Sequence, residues 1–233
     1  MTIRDQITGW HDGTETAVLN TIDRYEHVLA GYGMKLETGR DFSVFKDLHQ
    51  GLDKQPVMPN FDPAVSPLDT DDAFWMTGID RDGDIVMTQC VRLYDCQGIT
   101  LACLLHDLRA FYADPARHVG ADESCRVHAP VATRITGRIA YHGELWLAPT
   151  YRGRMLSDPV SKLLMALVVL KWAPDYLFGL AQPGIVTKGV AARYGYRNMQ
   201  PDGIIWTRPG MGTLREWIIW NDREDLKTIL ITP

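Results

Sequence analysis

The chain has 233 residues, 45% of them apolar, with 24 Lys and Arg against 29 Asp and Glu for a net charge of −5. That length buries a real core in one large domain, or in one domain with an arm, and an acidic balance without a basic run speaks against a nucleic-acid groove. The longest apolar run, Leu163 to Leu170, is far below the ~20 residues of a membrane span, and Arg4 and Asp5 precede no apolar leader. The expectation is an unprocessed cytoplasmic protein with no membrane or nucleic-acid partner.

From Thr14 to about Leu29, Val18, Leu19, Ile22, Tyr25, Val28 and Leu29 recur at helical steps, and Gly31 and Gly33 stop the pattern. A shorter helix is expected around Phe42 to Leu52, capped by Asp41 and ended near Gly51. Pro56, Pro59, Pro63 and Pro67 then exclude regular structure and suggest a connector on the surface. Residues 1–72 are thus expected to form a helical arm and connector, and 73–233 the main domain. Phe74 to Ile79 and Ile85 to Tyr94 predict a hairpin across the turn Asp80 to Asp84; a calcium loop would need a glutamate where Val91 stands. About 95–138 is long for a connection and is expected to be an insertion, with a helix near Leu101 to Phe111. Cys90, Cys96, Cys103 and Cys125 include no C-x-x-C pair, which predicts reduced thiols and no metal site.

Glu144 to Leu147 predicts a strand, Ala148 to Arg154 a turn, and an apolar helix begins near Met155 to Pro159 and runs to Trp172. A strand passing through an Arg/Gly turn into a helix aims free N–H groups and the positive helix end at one spot, which suits a phosphate ester. Beyond it, Asp175 to Ala181 predicts a strand, Ile185 to Tyr194 a helix ending at Gly195, and Ile204 to Arg208 with Leu214 to Trp220 a final hairpin. Asp222 to Ile231 is read as a short helix or strand.

Leu147 to Ser157, reading LAPTYRGRMLS, resembles the acyl-CoA-binding segment of the GNAT superfamily of N-acetyltransferases, a strand with V-x-P-x-x, then R/Q-x-x-G-x-G/A, then a helix. Arg152 falls on the Arg/Gln position, and Met155 and Ser157 on the two glycine positions. The resemblance implies an α/β (α+β) GNAT-like fold with a mostly antiparallel mixed sheet, splayed at the CoA site and flanked by helices. It implies acetyl-CoA or another acyl-CoA as co-substrate. The pantetheine arm would meet main-chain groups of Leu147 and Ala148, and the pyrophosphate the N–H groups of Gly153, Arg154, Met155, Leu156 and Ser157 with the charge of Arg152 or Arg154. Gly195 and Tyr196 match the family's G-F; its general-acid tyrosine would fall on Ala191, so Tyr194 or Tyr196 is left to stand in.

Acyl transfer to an amine needs an uncharged amine and a proton for the thiolate. Glu144, the carboxylate of that strand, is a candidate base, and His142 a second. The acceptor is expected to be a small-molecule or protein amine, and a homodimer is the assembly considered. Two rivals remain. Asp69, Asp72, Arg92, Leu93 and Glu144 echo the order found in acyl-homoserine lactone synthases, which use an acyl carrier protein, although Leu147 stands where a later arginine is expected. Met155 and Ala191 also fit a GNAT-like module that binds acyl-CoA or a protein without catalysis.

Overall fold

The structure, a computed structural model, describes residues 14–68 and 71–231. Arg4, Asp5 and Asp69 lie outside the described residues. Helix α1 (Glu15–Gly31) buries Val18, Ile22, Tyr25 and Leu29 along one stripe, as the helical spacing predicts, and the chain reverses where Gly33 takes φ +75. Strand β1 (Lys35–Gly39) follows, an element the sequence did not announce. Helix α2 (Phe42–Gln50) starts at Asp41, whose carboxylate accepts the N–H of Ser43 at 2.9 Å and of Val44 at 3.4 Å. Asp41→Ala removes this cap without opening the core, and is expected to cost about 1 kcal/mol in a urea melt.

The proline-rich stretch after α2, expected on the surface, instead sinks one 3-10 turn, Pro59–Phe61, into the fold. Phe61 is fully buried, stacked on Tyr141 at 5.8 Å and on Phe42 at 5.7 Å. Aromatic burial here outweighs the proline content, because a 3-10 turn with Pro at its start needs no amide donor from the ring. Strands β2 (Ala73–Ile79) and β3 (Ile85–Cys96) form the expected hairpin, and Asp80 Oδ1 accepts the N–H of Asp82 and of Asp84, each at 3.0 Å.

In the insertion, helix α3 (Leu101–His106) is shorter than expected, because Leu108 takes φ +59 and turns the chain out of the helix. Helix α4 (Pro115–His118) and strand β4 (Ser124–Val127) follow. Strand β5 (Gly137–Leu147) begins earlier than Glu144 and leads through the turn to helix α5 (Ser157–Trp172). Strand β6 (Tyr176–Ala181) is as expected, whereas the single helix expected over Ile185 to Tyr194 is two short ones, α6 (Pro183–Thr187) and α7 (Val190–Arg193), parted by Gly189 at φ +68. Strands β7 (Asn198–Arg208) and β8 (Gly212–Asp222) lead into helix α8 (Arg223–Ile231).

The strands form one eight-stranded sheet in the order β1-β2-β3-β5-β6-β8-β7-β4. Every neighbouring pair is antiparallel except β5 with β6. This is the mixed, mostly antiparallel sheet flanked by helices that the resemblance implied. α5 is apolar nearly all round and is buried along its length, sandwiched between the sheet and α1 and α8. The opposite face carries a largely aromatic core, including Phe45, Phe61, Phe111, Tyr141, Phe178 and Trp206, under α2, the proline-rich stretch and the insertion. β1 is one edge strand and β4, from within the insertion, is the other.

Candidate active site

β5 and β6 pair over three positions only, Ile139 with Tyr176, Ala140 with Leu177 and Tyr141 with Phe178. Beyond Tyr141 no pairing joins them. β5 stays with β3 on its other edge, but from the Cys90–Gly143 pair to the Thr88–Trp146 pair the chain advances two residues on β3 and three on β5. The extra residue is a bulge, and Glu144 takes φ +58 within it. Gly143 lies beside the bulge because a Cβ there would meet Tyr141 at 2.8 Å and Phe61 at 3.0 Å. A bulged central strand that parts from its one parallel neighbour and then feeds a turn and a buried helix is the arrangement the resemblance implied. The chain has a GNAT-type fold.

In this GNAT-type sheet the strand end and the turn present several main-chain groups to the gap. Ala148 N–H donates to Val86 O at 2.8 Å, so it is not free. With Trp146 and Ala148 directed at β3 by the antiparallel register, the N–H and C=O of Leu145 and Leu147 face the gap. The Leu147 carbonyl accepts Arg152 Nε at 2.8 Å. In the turn, the N–H groups of Tyr151 and Arg152 bond to Ala148 O and Pro149 O. The next four, on Gly153, Arg154, Met155 and Leu156, make no hydrogen bond to any described residue. Gly153 at φ +74 and Met155 at φ +60 twist the turn, and the Met155 side chain is 64% exposed at the rim of the hollow. It does not fill the hollow.

Gly153, Met155, Leu156 and the N-terminus of α5 border a cavity of about 510 Å³. Arg152, Lys188 and Arg193 line it and no carboxylate does, so the cavity favours an anion. Arg154 lies over the Tyr151 ring at 5.4 Å. The residues present therefore fit a diphosphate: open amides, a helix N-terminus and cationic walls.

A second cavity of about 340 Å³ occupies the split itself and shares Leu145, Ile185 and Tyr194 with the first. Its lining carries Glu144 and Glu216 but no Lys or Arg. The Glu144 side chain is 3% exposed; Oε2 accepts Lys54 Nζ at 2.6 Å and Oε1 accepts Met58 N–H at 2.8 Å. His49 Nε2 stands 3.3 Å from Oε2 without the alignment of a hydrogen bond. Burial alone would raise the Glu144 carboxyl, but His49, Lys54 and the Met58 amide outweigh it and hold the group below the usual carboxylate range. Lys54 Nζ and Thr88 Oγ1 also donate to the Glu144 carbonyl, at 3.2 and 3.0 Å, so the ion pair fastens the bulge.

His142 is buried, and burial lowers its pKa to about 4. Gln89 Nε2 donates to Val160 O at 2.9 Å, which turns Gln89 Oε1 to His142 Nε2 at 3.2 Å. Nε2 therefore carries the proton, and Nδ1 accepts the Tyr196 hydroxyl at 3.1 Å. The Tyr196 proton is engaged in that chain, and burial raises its pKa far above the usual phenol value. Tyr194 lines both cavities, and its hydroxyl bonds to no described residue. Burial raises its pKa, with Arg193 and Arg152 opposing.

Glu216, on β8, escaped the sequence. It is 9% exposed, its Oε2 bonds to nothing described, and burial raises its carboxyl to about 7. The signal lay in its phase. Leu214, Ile218 and Trp220 share its face of β8 and pack in the aromatic core, so a lone carboxylate stands in an apolar register. Arg92, from the synthase-like set, donates to Asn60 O at 3.1 Å, and no ion pair links it to Glu144 among the described residues. Among the described residues, no group of three or more His, Cys, Asp or Glu could hold a metal, and no helix is long and apolar enough to cross a membrane. Cys90, Cys96 and Cys125 are buried free thiols, while Cys103 is exposed.

No protein-family model matches the chain, and no curated protein matches it in sequence. Among solved structures it is similar to Arabidopsis thaliana NAA60 in complex with acetyl-CoA, at 10% identity over 81% of this chain and 98% of that one, with a TM-score of 0.48. It is similar to an acyl-CoA N-acyltransferase from Pseudomonas aeruginosa at 11% identity, 81% and 99% coverage and a TM-score of 0.42. A third similar structure is AAC(6')-Ib with paromomycin and acetyl-CoA, at 9% identity, 84% and 96% coverage and a TM-score of 0.43.

Proposed function

We propose that the protein is an acyltransferase moving an acetyl or other short acyl group from acyl-CoA to an amine. The observation that carries this reading is the pair of adjoining cavities, one lined by cations beside open amides and one carrying two carboxyl groups and no Lys or Arg, which share Tyr194 at the parted edge of β5. Acyl-CoA would supply the thioester whose cleavage drives the transfer. The N–H groups of Gly153, Arg154, Met155, Leu156 and Ser157, with Arg152 and Arg193, hold the diphosphate. Leu145 and Leu147 offer main-chain groups to the amide-bearing arm. Glu144 keeps the bulge in place through Lys54 rather than acting as base, since a carboxylate held below its usual range takes protons poorly. Tyr194, with an unengaged hydroxyl, protonates the departing thiolate; Tyr196 orders His142.

Ser157→Glu tests the cofactor side. A carboxylate in the first turn suits α5 itself but repels a diphosphate at the same amides. The thermal midpoint is expected to hold, while the CoA dissociation constant in a calorimetric titration rises at least ~10-fold. Equal affinity for both proteins would remove the turn from the site. Free thiol release from acetyl-CoA with a panel of amines, above the hydrolysis blank, tests turnover.

A further inference from the structure

We propose that Glu216 holds the acceptor's ammonium group and takes its proton, and that the acceptor is a small primary amine bearing no carboxylate. The inference rests on the acyl-transfer reading for its chemistry, but the ammonium site stands on its own geometry. Glu216 is buried, its Oε2 lacks a partner among the described residues, and it lines the cavity in the split. A buried carboxylate with no bond is costly unless a ligand supplies the counter-charge. No Lys or Arg lines this cavity, and the other carboxylate in it, Glu144, is already matched by Lys54. Tyr141 on β5 and Cys125 on β4 feel the charge of Glu216, and the other titratable groups lining its cavity are Glu144, His142, Tyr194 and Tyr196; none of them brings positive charge at neutral pH, since burial keeps His142 neutral. A cation must come from outside.

The remaining walls define the rest of the acceptor. Met58, Leu180 and the Tyr141 ring are apolar or aromatic, and Gly143 and Gly179 leave the slot free of side chains on either side. A Cβ on Gly179 would meet the His142 carbonyl, Ile219 and the Tyr196 hydroxyl, each at 3.3 Å. These surfaces suit an alkyl or arylalkyl group. An α-amino acid would bring its carboxylate beside Glu216 and find no unmatched cation, so amino acids are selected against.

The chemistry balances with the groups present. The Glu216 carboxylate takes one proton from the ammonium, giving a free amine and a carboxylic acid. The nitrogen lone pair forms the C–N bond as the C–S bond breaks, and the thiolate takes up the second proton lost by nitrogen through the Tyr194 hydroxyl. Glu216 then returns its proton to water. With its carboxyl raised to about 7 by burial, Glu216 becomes competent as a base as pH rises through neutrality.

The full chain, wild type and Glu216→Gln, is titrated with propylamine, phenethylamine and alanine without CoA, and then assayed with acetyl-CoA across pH 5.5 to 9. The wild type is expected to bind both amines and not alanine, and Glu216→Gln to bind them at least ~10-fold more weakly. In turnover, the wild-type kcat/KM is expected to climb through about pH 7, and Glu216→Gln to lose ~100-fold or more together with that climb. Near-ultraviolet circular dichroism matching the wild type shows that the variant keeps its packing. Equal amine binding by the two proteins, or preference for alanine, overturns the proposal. Glu216-dependent amine binding with no thiol released from acetyl-CoA keeps the ammonium site and removes acyl transfer; turnover indifferent to Glu216→Gln does the reverse.

Discussion

Glu216→Gln is expected to be more stable than the wild-type protein at pH 8, by about 2 kcal/mol, and to match it closely near pH 5. The cause is the direction of the shift. Burial raises the folded carboxyl from 4.5 to about 7, so the folded protein keeps a proton that the unfolded chain has already released. Stability therefore falls as pH rises from about 4.5 to 7, and above 7 the ionised carboxylate costs about 3 kcal/mol. A glutamine carries no charge to desolvate, but its amide finds no better partner, which returns about 1 kcal/mol of the gain. Urea melts of both proteins at pH 5 and pH 8 measure the difference; a gap independent of pH would mean that Glu216 is solvated or paired. A residue kept at the expense of stability in the middle of an apolar register fits a functional group.

Lys54→Met has the opposite sign and a larger size. It strips the main counter-charge from Glu144, whose side chain is 3% exposed, and leaves a buried carboxylate with the Met58 amide and an imperfectly aligned His49. Breaking a buried pair from one side is expected to destabilise by about 3 kcal/mol at pH 8. In the wild type the Glu144 carboxyl is depressed, so the stability it contributes is present above the ordinary carboxylate range and is lost as pH falls through the folded value. In the variant the carboxyl rises, so the deficit narrows toward pH 4. Denaturant midpoints at the two pH values read this directly, and adding Glu144→Gln is expected to restore most of the loss. An unchanged midpoint in Lys54→Met would show that the bulge is held by β3 alone.

Much of the architecture was legible where local pattern and tertiary role agree. The stripe of α1, the Asp41 cap, the hairpin of β2 and β3 and the Arg/Gly turn before α5 all stand in the chain as their residues imply. Elements held by pairing alone were not legible. β1 is five residues after a glycine-rich turn, and β4 is four residues at the sheet edge, so neither carries enough alternation to be seen without its partner. The helix expected over Ile185 to Tyr194 breaks at Gly189, where a glycine tolerates the left-handed backbone that reverses the chain. Of the candidate residues, the turn amides and Tyr194 border the cavities, and Glu144 lies at the bulge. What Glu144 meets was invisible, because Lys54 and Met58 come from a stretch some ninety residues earlier.

The three residue pairs that join β5 to β6 make the sheet two blades sharing a pivot. At that pivot, Asp175 N–H donates to the Arg138 carbonyl at 2.8 Å and Asp175 Oδ2 accepts Arg138 N–H at 2.9 Å, while the far ends of the strands share no rung. A small scissor rotation about this joint would widen the aperture at the far end without breaking a ladder bond. α5 packs along the blades, so its apolar contacts would resist such a rotation. Substitutions under that helix, remote from the split, are therefore expected to change how wide its mouth stands.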